Sequence, residues 1–130
     1  MARRVLLDTH LLLWAALLPE RLPPAAANIM QATENTLFFS VCSLWETAIK
    51  LSRPRKDLVI DLSSWRAGLL DNGYLELPIL AEHAIAVQQL PALHQDPFDR
   101  LLLAQARCEK LELLTADAQL AAYGAPVLHA

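Results

Sequence analysis

The segment 94–117, HQDPFDRLLLAQARCEKLELLTAD, carries three aspartates at the borders of two predicted elements. Asp96 precedes Pro97 and a run of apolar residues at helical spacing, which predicts a helix with Asp as its N-cap and Pro at its first position. Residues 111–114 then predict a short buried strand, and Asp117 follows it. Because ligands bind at the carboxyl ends of the strands in open parallel sheets, Asp117 lies where a site is expected.

Short apolar runs and helical patterns alternate on both sides of this segment. Strands are predicted at 5–7, 37–41, 74–77, 111–114 and 127–128. Helices are predicted to begin at or near residues 9, 24, 43, 63, 80 and 97. This order is typical of an α/β protein with a central parallel sheet flanked by helices on both faces. Since the crossovers of such a sheet are right-handed, strand ends far apart in the chain are expected to converge at one sheet edge.

The size and composition indicate one domain over residues 1–130. With 130 residues, of which 55% are hydrophobic and 19% charged, the chain is long enough to bury a core and has little room for a second domain. The apolar run at 11–18 is shorter than the roughly 20 residues that cross a bilayer, so we predict neither a membrane span nor a signal peptide. The mean hydropathy of +0.29 is high, which favours an apolar subunit or partner interface.

The charge and the cysteines restrict the class of protein further. A formal net charge of −3 excludes a protein that coats nucleic acid through bulk basicity, so any polyanion must be bound locally. Cys42 and Cys108 lie in predicted elements without CxxC spacing. We therefore expect both to be buried, reduced thiols of a cytoplasmic protein.

Four acidic residues stand at element borders. Asp8 ends the first strand and Asp117 follows a late one, while Glu46 and Asp99 lie about one turn into their helices. Converging carboxylates repel one another, so such a cluster persists only if its pKa values rise or a cation neutralises it. Oxygen ligands favour Mg²⁺ or Mn²⁺ over zinc, and such an ion suits the hydrolysis of phosphodiester bonds.

Each acid also has a purely structural interpretation. Ser43 and Glu46 match the S-x-x-E capping box. Asp99 would complement the helix dipole in the first turn of its helix, and Asp117 would serve as a helix cap. Asp8 is the hardest to explain in this way, because a buried carboxylate at the end of an apolar strand needs a partner and no neighbouring cation is evident.

Four blocks of sequence carry a family resemblance. They are LLDTHLLLW at 6–14, SLWETAIK at 43–50, HQDPFDRLLLAQA at 94–106 and LLTAD at 113–117. In this order and at these spacings the chain resembles PIN domains, and most closely the VapC-like ribonuclease toxins of bacterial toxin–antitoxin pairs. The resemblance covers nearly the whole chain.

The resemblance implies a Rossmann-like α/β/α sandwich, a PIN domain, and cleavage of RNA that depends on Mg²⁺ or Mn²⁺. It also implies a homodimer and a small VapB-like antitoxin whose C-terminal tail occupies a groove of the toxin. The residues that match the four family acids are Asp8, Glu46, Asp99 and Asp117. Alignment of the LLLAQA helix selects Asp99 as the site residue and leaves Asp96 as the cap. Asp8, Asp99 and Asp117 would hold the metal, and Glu46 would position or deprotonate the attacking water.

Several residues near the acids are candidates for supporting roles. Thr9 and Thr115 flank two of the acids, where their hydroxyls would orient ligands or act as ordinary caps. A basic loop, Arg53, Arg55 and Lys56, would contact RNA phosphates or remain solvated. Arg100 is adjacent to Asp99 in the chain and would bind phosphate or pair with a carboxylate. His10 and His94 also lie beside acids but lack zinc-ligand spacing, so we expect them to be at the surface or hydrogen-bonded.

Three other functions compete with an RNA-cleaving enzyme. The first is a non-catalytic PIN-like binding protein whose acids are all caps. The second is a DNA-directed nuclease that uses the same acidic site. The third, a phospho-accepting receiver domain, also places acids at strand ends, but the chain has no clear late strand-end lysine to complete that site.

Overall fold

A computed structural model of the chain describes residues 2–53 and 59–130. Five strands form one parallel sheet in the order β3-β2-β1-β4-β5. Their bounds are Arg4–Leu7 (β1), Thr36–Ser40 (β2), Leu75–Leu77 (β3), Glu112–Thr115 (β4) and Val127–His129 (β5). The order places β1 and β4 side by side at the centre, so the ends of these two strands are neighbours.

Seven α-helices and one 3-10 turn, Pro19–Arg21, account for the other described elements. The α-helices are Thr9–Leu17 (α1), Pro24–Gln31 (α2), Val41–Leu51 (α3), Leu62–Asp71 (α4), Ala81–Val87 (α5), Pro97–Glu109 (α6) and Ala118–Ala121 (α7). Within the described ranges, no helix is both long enough and apolar enough to cross a membrane.

The sheet separates two apolar layers. On β1, Leu6 packs into one layer with residues of α6 and α7, whereas Val5 and Leu7 pack into the other with residues of α1, α2 and α4. All three side chains are fully buried. A strand with apolar residues on both faces is covered on both sides, so the α/β/α sandwich expected from the sequence is confirmed.

The start of α3 differs from the sequence prediction. The helix begins at Val41, and its N-cap is Ser40, whose Oγ accepts a hydrogen bond from the Cys42 backbone N–H at 2.9 Å. Ser43 is therefore already inside the helix, so the capping-box interpretation of Glu46 is wrong. The cause is the length of β2, which ends one residue earlier than its apolar run, because Ser40 turns from the strand into the helix.

The two cysteines lie in different environments. Cys42 is fully buried, as expected, but Cys108 is exposed near the carboxyl end of α6. The prediction of two buried thiols is therefore wrong for Cys108. Both thiols are free.

Candidate metal centre

Asp8 occupies the turn between β1 and α1 and is 2% exposed. Its carboxylate accepts hydrogen bonds from the Leu11 backbone N–H at 2.9 Å and from the Thr115 hydroxyl. It is therefore also the N-cap of α1, a role that the sequence analysis did not give it. Burial raises the pKa of Asp8, the two hydrogen bonds oppose that change, and the negative charge of Glu46 adds to it.

Thr115 connects Asp8 to Asp117. While its Oγ1 donates to Asp8, the same atom accepts a hydrogen bond from the Asp117 backbone N–H at 3.0 Å. Asp117 caps α7 through the Gln119 N–H at 2.8 Å, and its side chain is 37% exposed. The carboxylate thus combines the cap expected from the sequence with a position that solvent and ligands can reach.

The other candidate threonine has a different position. Thr9 Oγ1 lies 2.8 Å from Ser43 Oγ, and both side chains are buried. This contact joins α1 to α3. Thr9 therefore supports the packing of the two helices that carry Asp8 and Glu46, whereas Thr115 contacts an acid directly.

Asp99 lies in the first turn of α6 and is 8% exposed. Asp96 caps the helix, as predicted, by accepting hydrogen bonds from the backbone N–H groups of Phe98 and Asp99 at 2.9 and 3.0 Å. Burial, and then the charge of Asp96, raise the pKa of Asp99 to about 7, although the hydrogen bond with His94 opposes this change. The charges of Asp8 and Glu46 also raise it, so these acids share one electrostatic environment.

Glu46 lies on α3 and is 4% exposed. Its Oε2 is 3.2 Å from Lys50 Nζ, one turn further along the helix. Its Oε1 is buried and has no hydrogen-bond partner among the described residues. A buried carboxylate oxygen without a partner is costly, and a bound cation or its coordinated water would satisfy it.

These contacts connect Asp8, Asp99 and Asp117 near the carboxyl ends of β1 and β4, and the charge of Glu46 acts on both Asp8 and Asp99. The ligand atoms that lie within 4.8 Å of one another belong to His94, Asp99 and Asp117, and this group does not include Asp8 or Glu46. The donor set of the four acids consists of carboxylate oxygens, two of the acids have raised pKa values, and one buried oxygen lacks a partner. This arrangement fits a hard divalent cation such as Mg²⁺ or Mn²⁺.

Two residues beside the acids have roles that the sequence analysis did not recognise. His94 was expected to be hydrogen-bonded, and it is, but its Nε2 bridges Asp99 Oδ2 at 2.9 Å and Asp117 Oδ2 at 3.4 Å. Lys50 pairs with Glu46, and the signal that would have found it is the i, i+4 spacing of the two residues on one helix.

Arg100 does not take either of the roles expected from the sequence. Its guanidinium donates hydrogen bonds to the backbone carbonyls of Val87 at 3.2 Å and Pro91 at 3.0 Å, and to the hydroxyl of Tyr123 at 3.1 Å. It contacts no carboxylate among the described residues, and its donors are engaged with the segment that precedes α6. Arg53 is exposed just beyond α3, and Arg55 and Lys56 lie outside the described residues.

A second group of metal-ligand residue types is formed by Glu82, His83 and Glu109. His83 Nδ1 lies 3.0 Å from the Leu80 backbone N–H, which can only donate, so this nitrogen must be the acceptor. The ring proton is therefore on Nε2, which donates to Glu109 at 2.8 Å. This hydrogen bonding leaves neither ring nitrogen of the neutral imidazole free for a metal, so His83 is a core residue.

The fold and the site together define a class: α/β/α proteins with an acidic cluster at the carboxyl ends of two central parallel strands. The family model of the PIN domain matches residues 5–126, so the chain belongs to the PIN-domain family. Ribonuclease VapC22 of Mycobacterium tuberculosis is 30% identical over 124 residues, which are 94% of this chain and 93% of that protein.

Solved structures agree with this assignment at the level of the fold. VapBC2 from Rickettsia felis, bound to a DNA fragment from its promoter, matches with a TM-score of 0.68 and 16% identity, over 98% of this chain and 97% of that chain. A toxin–antitoxin complex from Klebsiella pneumoniae matches with a TM-score of 0.64 and 18% identity, over 95% of both chains.

Proposed function

We propose that this protein is a metal-dependent endoribonuclease that acts in the cytoplasm as the toxin of a toxin–antitoxin pair. The observation that carries the proposal is the buried acidic cluster, in which Glu46 keeps one carboxylate oxygen without a partner beside Asp8 and Asp99. Support comes from the similarity to a protein named as a ribonuclease over nearly the full length of both chains.

The acidic residues and Lys50 have different proposed roles. Asp8, Asp99 and Asp117 would hold the Mg²⁺ or Mn²⁺ ion. When bound, the ion would lower the pKa of a water molecule and neutralise charge on the phosphate. Lys50 holds Oε2 of Glu46, which leaves Oε1 to orient the attacking water and accept its proton. In-line attack of this water on the phosphorus would break the P–O3′ bond, and protonation of the departing oxygen would leave a 3′-hydroxyl on one fragment and a 5′-phosphate on the other.

The assay that tests this function offers purified protein a mixed set of single-stranded and hairpin RNAs. Cleavage in Mn²⁺ that stops in EDTA is the expected result. Matched single-stranded DNA distinguishes a DNA-directed nuclease from a ribonuclease. Absence of cleavage of every RNA in Mn²⁺, or equal cleavage with and without EDTA, would contradict the proposal, and binding without cleavage would favour the non-catalytic PIN-like protein.

RNA affinity must come from outside the acidic centre. Arg53, Arg55 and Lys56 form a dense basic segment, and we assign it to the RNA backbone. Replacement of Arg53 by Gln should weaken the binding of all RNAs alike. The slope of the logarithm of the binding constant against the logarithm of the salt concentration should fall by the contribution of about one charge. Binding titrations at several salt concentrations measure this slope, and an unchanged slope would remove Arg53 from the RNA-binding surface.

The antitoxin is assigned to a groove between α1, α2 and α4 whose lining is partly apolar and partly polar. The groove has a volume of about 540 Å³, and its lining includes Leu12, Ala16, Met30 and Trp65. Trp65 Nε1 is buried and has no acceptor among the described residues, so an occupant with a carbonyl or carboxylate would satisfy it. The Klebsiella pneumoniae neighbour is itself a toxin–antitoxin complex, which supports an antitoxin as the occupant.

A pair of exposed alanines tests this assignment. Ala16→Arg places a charge in the groove, whereas Ala25→Arg places the same charge on the exposed surface of α2. The partner is the small protein encoded by a neighbouring upstream reading frame. Co-purification lost with Ala16→Arg and kept with Ala25→Arg is expected. Equal co-purification of both variants would exclude the groove.

The homodimer is assigned to exposed apolar side chains outside this groove. Trp45 on α3, Ile85 on α5 and Leu93 before α6 are 55%, 65% and 51% exposed. Such exposure of large apolar groups is typical of an interface. Light scattering should give twice the chain mass of 14.4 kDa for the wild type and the monomer mass for Ile85→Glu. A monomeric wild type would contradict this assignment.

A further inference from the structure

The side chains of His94, Asp99 and Asp117 each place one atom that could bind a metal ion in the same small volume. His94 Nε2 lies 2.9 Å from Asp99 Oδ2 and 3.4 Å from Asp117 Oδ2, and one ligand atom from each of the three residues lies within 4.8 Å of the others. The contact with Asp99 is a hydrogen bond in the metal-free protein, and the three side chains are close enough together to hold one divalent cation.

The segment that carries His94 is held from two sides. The hydroxyl of Tyr123 accepts a hydrogen bond from the His94 backbone N–H at 3.1 Å and donates one to the Pro91 carbonyl at 2.8 Å. Arg100 donates to the carbonyls of Val87 and Pro91. The imidazole is 10% exposed, so its position is fixed before any ion binds. A ligand positioned in advance costs little conformational entropy on binding.

We propose that His94 supplies a nitrogen ligand to the ion held by Asp99 and Asp117, and that this nitrogen makes the centre prefer Mn²⁺ to Mg²⁺. The inference rests on the proposed metal-dependent function and adds a ligand and a metal preference to it. Imidazole nitrogen is a ligand of divalent transition-metal ions, a class that includes Mn²⁺ although this ion also accepts carboxylate and water oxygens, whereas Mg²⁺ takes oxygen ligands almost exclusively. A second observation points to a cation: Oε1 of Glu46 is buried without a partner among the described residues, and the charge of the same carboxylate acts on Asp99.

The other three described histidines, His10, His83 and His129, do not belong to the group that contains Asp99 and Asp117. Backbone hydrogen bonding fixes the proton of His83 on Nε2, which donates to Glu109. His10 is exposed on α1 and belongs to neither group of convergent ligand atoms among the described residues. His10 is therefore the matched control, since it follows Asp8 closely in the chain but directs no nitrogen to the Asp99 and Asp117 pair.

Pulsed electron paramagnetic resonance of the Mn²⁺-loaded protein tests the ligand directly. The wild type and His10→Gln should show coupling of the electron spin to an imidazole ¹⁴N, and His94→Gln should lose it. Calorimetric titrations with MnCl₂ and MgCl₂ should show the ratio of the two affinities falling about 10-fold or more in His94→Gln and remaining unchanged in His10→Gln. If His94→Gln does not fold, ¹⁵N-histidine labelling of the wild type and of His10→Gln should still replace the ¹⁴N coupling with a ¹⁵N coupling.

The outcomes separate this inference from the proposed function. If Mn²⁺ binds the wild type without nitrogen coupling, or the coupling persists in His94→Gln, the inference is overturned while the acidic metal site stands. An unchanged affinity ratio in His94→Gln would overturn the metal preference. If the wild type binds no Mn²⁺ at all, the metal-dependent function fails together with the inference.

Discussion

The hydroxyl of Thr115 at the end of β4 donates a hydrogen bond to the carboxylate of Asp8 at the end of β1. The two residues are 107 positions apart in the chain, and the pairing of β1 with β4 brings them together. Because the same oxygen accepts from the Asp117 N–H, one threonine fixes the positions of two acids. The parallel register of two central strands therefore positions the candidate metal centre.

Thr115→Val should weaken Mn²⁺ binding by about 10- to 100-fold, because it removes the donor that orients Asp8 while it keeps the shape of the side chain. Calorimetric titration measures the change. Thr115→Ser retains a hydroxyl and should restore most of the affinity. Equal affinities for the valine variant and the wild type would show that the hydrogen bond does not position the ligand.

Asp8→Asn should reduce metal-dependent RNA cleavage by about 100-fold or more, because a ligand charge is lost while the amide oxygen still accepts from Leu11. Circular dichroism should show an intact fold, and expression without the antitoxin should no longer be toxic. An RNA cleavage assay in Mn²⁺ provides the measurement. A variant that retains cleavage would refute the site.

Asp99 makes the stability of the metal-free protein depend on pH. Its pKa rises from 3.8 to about 7 on folding, so between these values the folded state binds a proton that the unfolded chain has lost. The free energy of unfolding therefore falls as the pH rises from about 4 to 7, and this loss of stability is complete above pH 7. In EDTA, Asp99→Asn should raise the melting temperature by about 5 °C at pH 8 and leave it nearly unchanged at pH 4.

The control for this measurement is Asp61→Ala, which removes the N-cap of α4 without removing a charge that shifts the pKa of Asp99. Loss of that cap should lower the melting temperature at pH 8, since a capping side chain contributes about 1 kcal/mol. A gain for Asp99→Asn of the same size at both pH values would show that the proton linkage is not its source.

Arg100→Gln should lower the free energy of unfolding by about 2 to 3 kcal/mol, because a charged donor that binds several backbone carbonyls is removed. Thermal melting measures the change. Arg53→Gln, which removes an exposed charge, should leave the melting temperature within error. A variant at position 100 with wild-type stability but weaker RNA binding would restore the phosphate-contact interpretation.

Native alkylation should modify Cys108 alone. Cys42 is fully buried, and burial raises its pKa to about 12. Cys108 is exposed, although partial desolvation and the nearby acids Glu82 and Glu109 raise its pKa, so its reaction with iodoacetamide at pH 8 should be slow. Mass spectrometry should find one modified thiol per native chain and two after denaturation. Comparable labelling of Cys42 in the native protein would contradict its burial.

Local patterns predicted a large part of the fold. The Asp96 cap and Pro97 marked the start of α6, and Lys110, with a φ of 58°, ends that helix just before the strand predicted at 111–114. The start of α3 was missed because an apolar run does not reveal where a serine turns a strand into a helix. Cys108 was misplaced because helical periodicity assigned it to an apolar face that the neighbouring elements do not cover.

The amino-acid sequence by itself determined the order of the elements, the parallel sheet and the four acids at element borders, since these depend on spacing, capping and hydrophobic alternation along short stretches. Only the tertiary structure decided the contacts. It directed Arg100 to backbone carbonyls, linked Asp8 to Asp117 through Thr115, and brought His94 between Asp99 and Asp117. The direction of a side chain depends on the packing of elements distant in the chain, and no local pattern in the sequence records that packing.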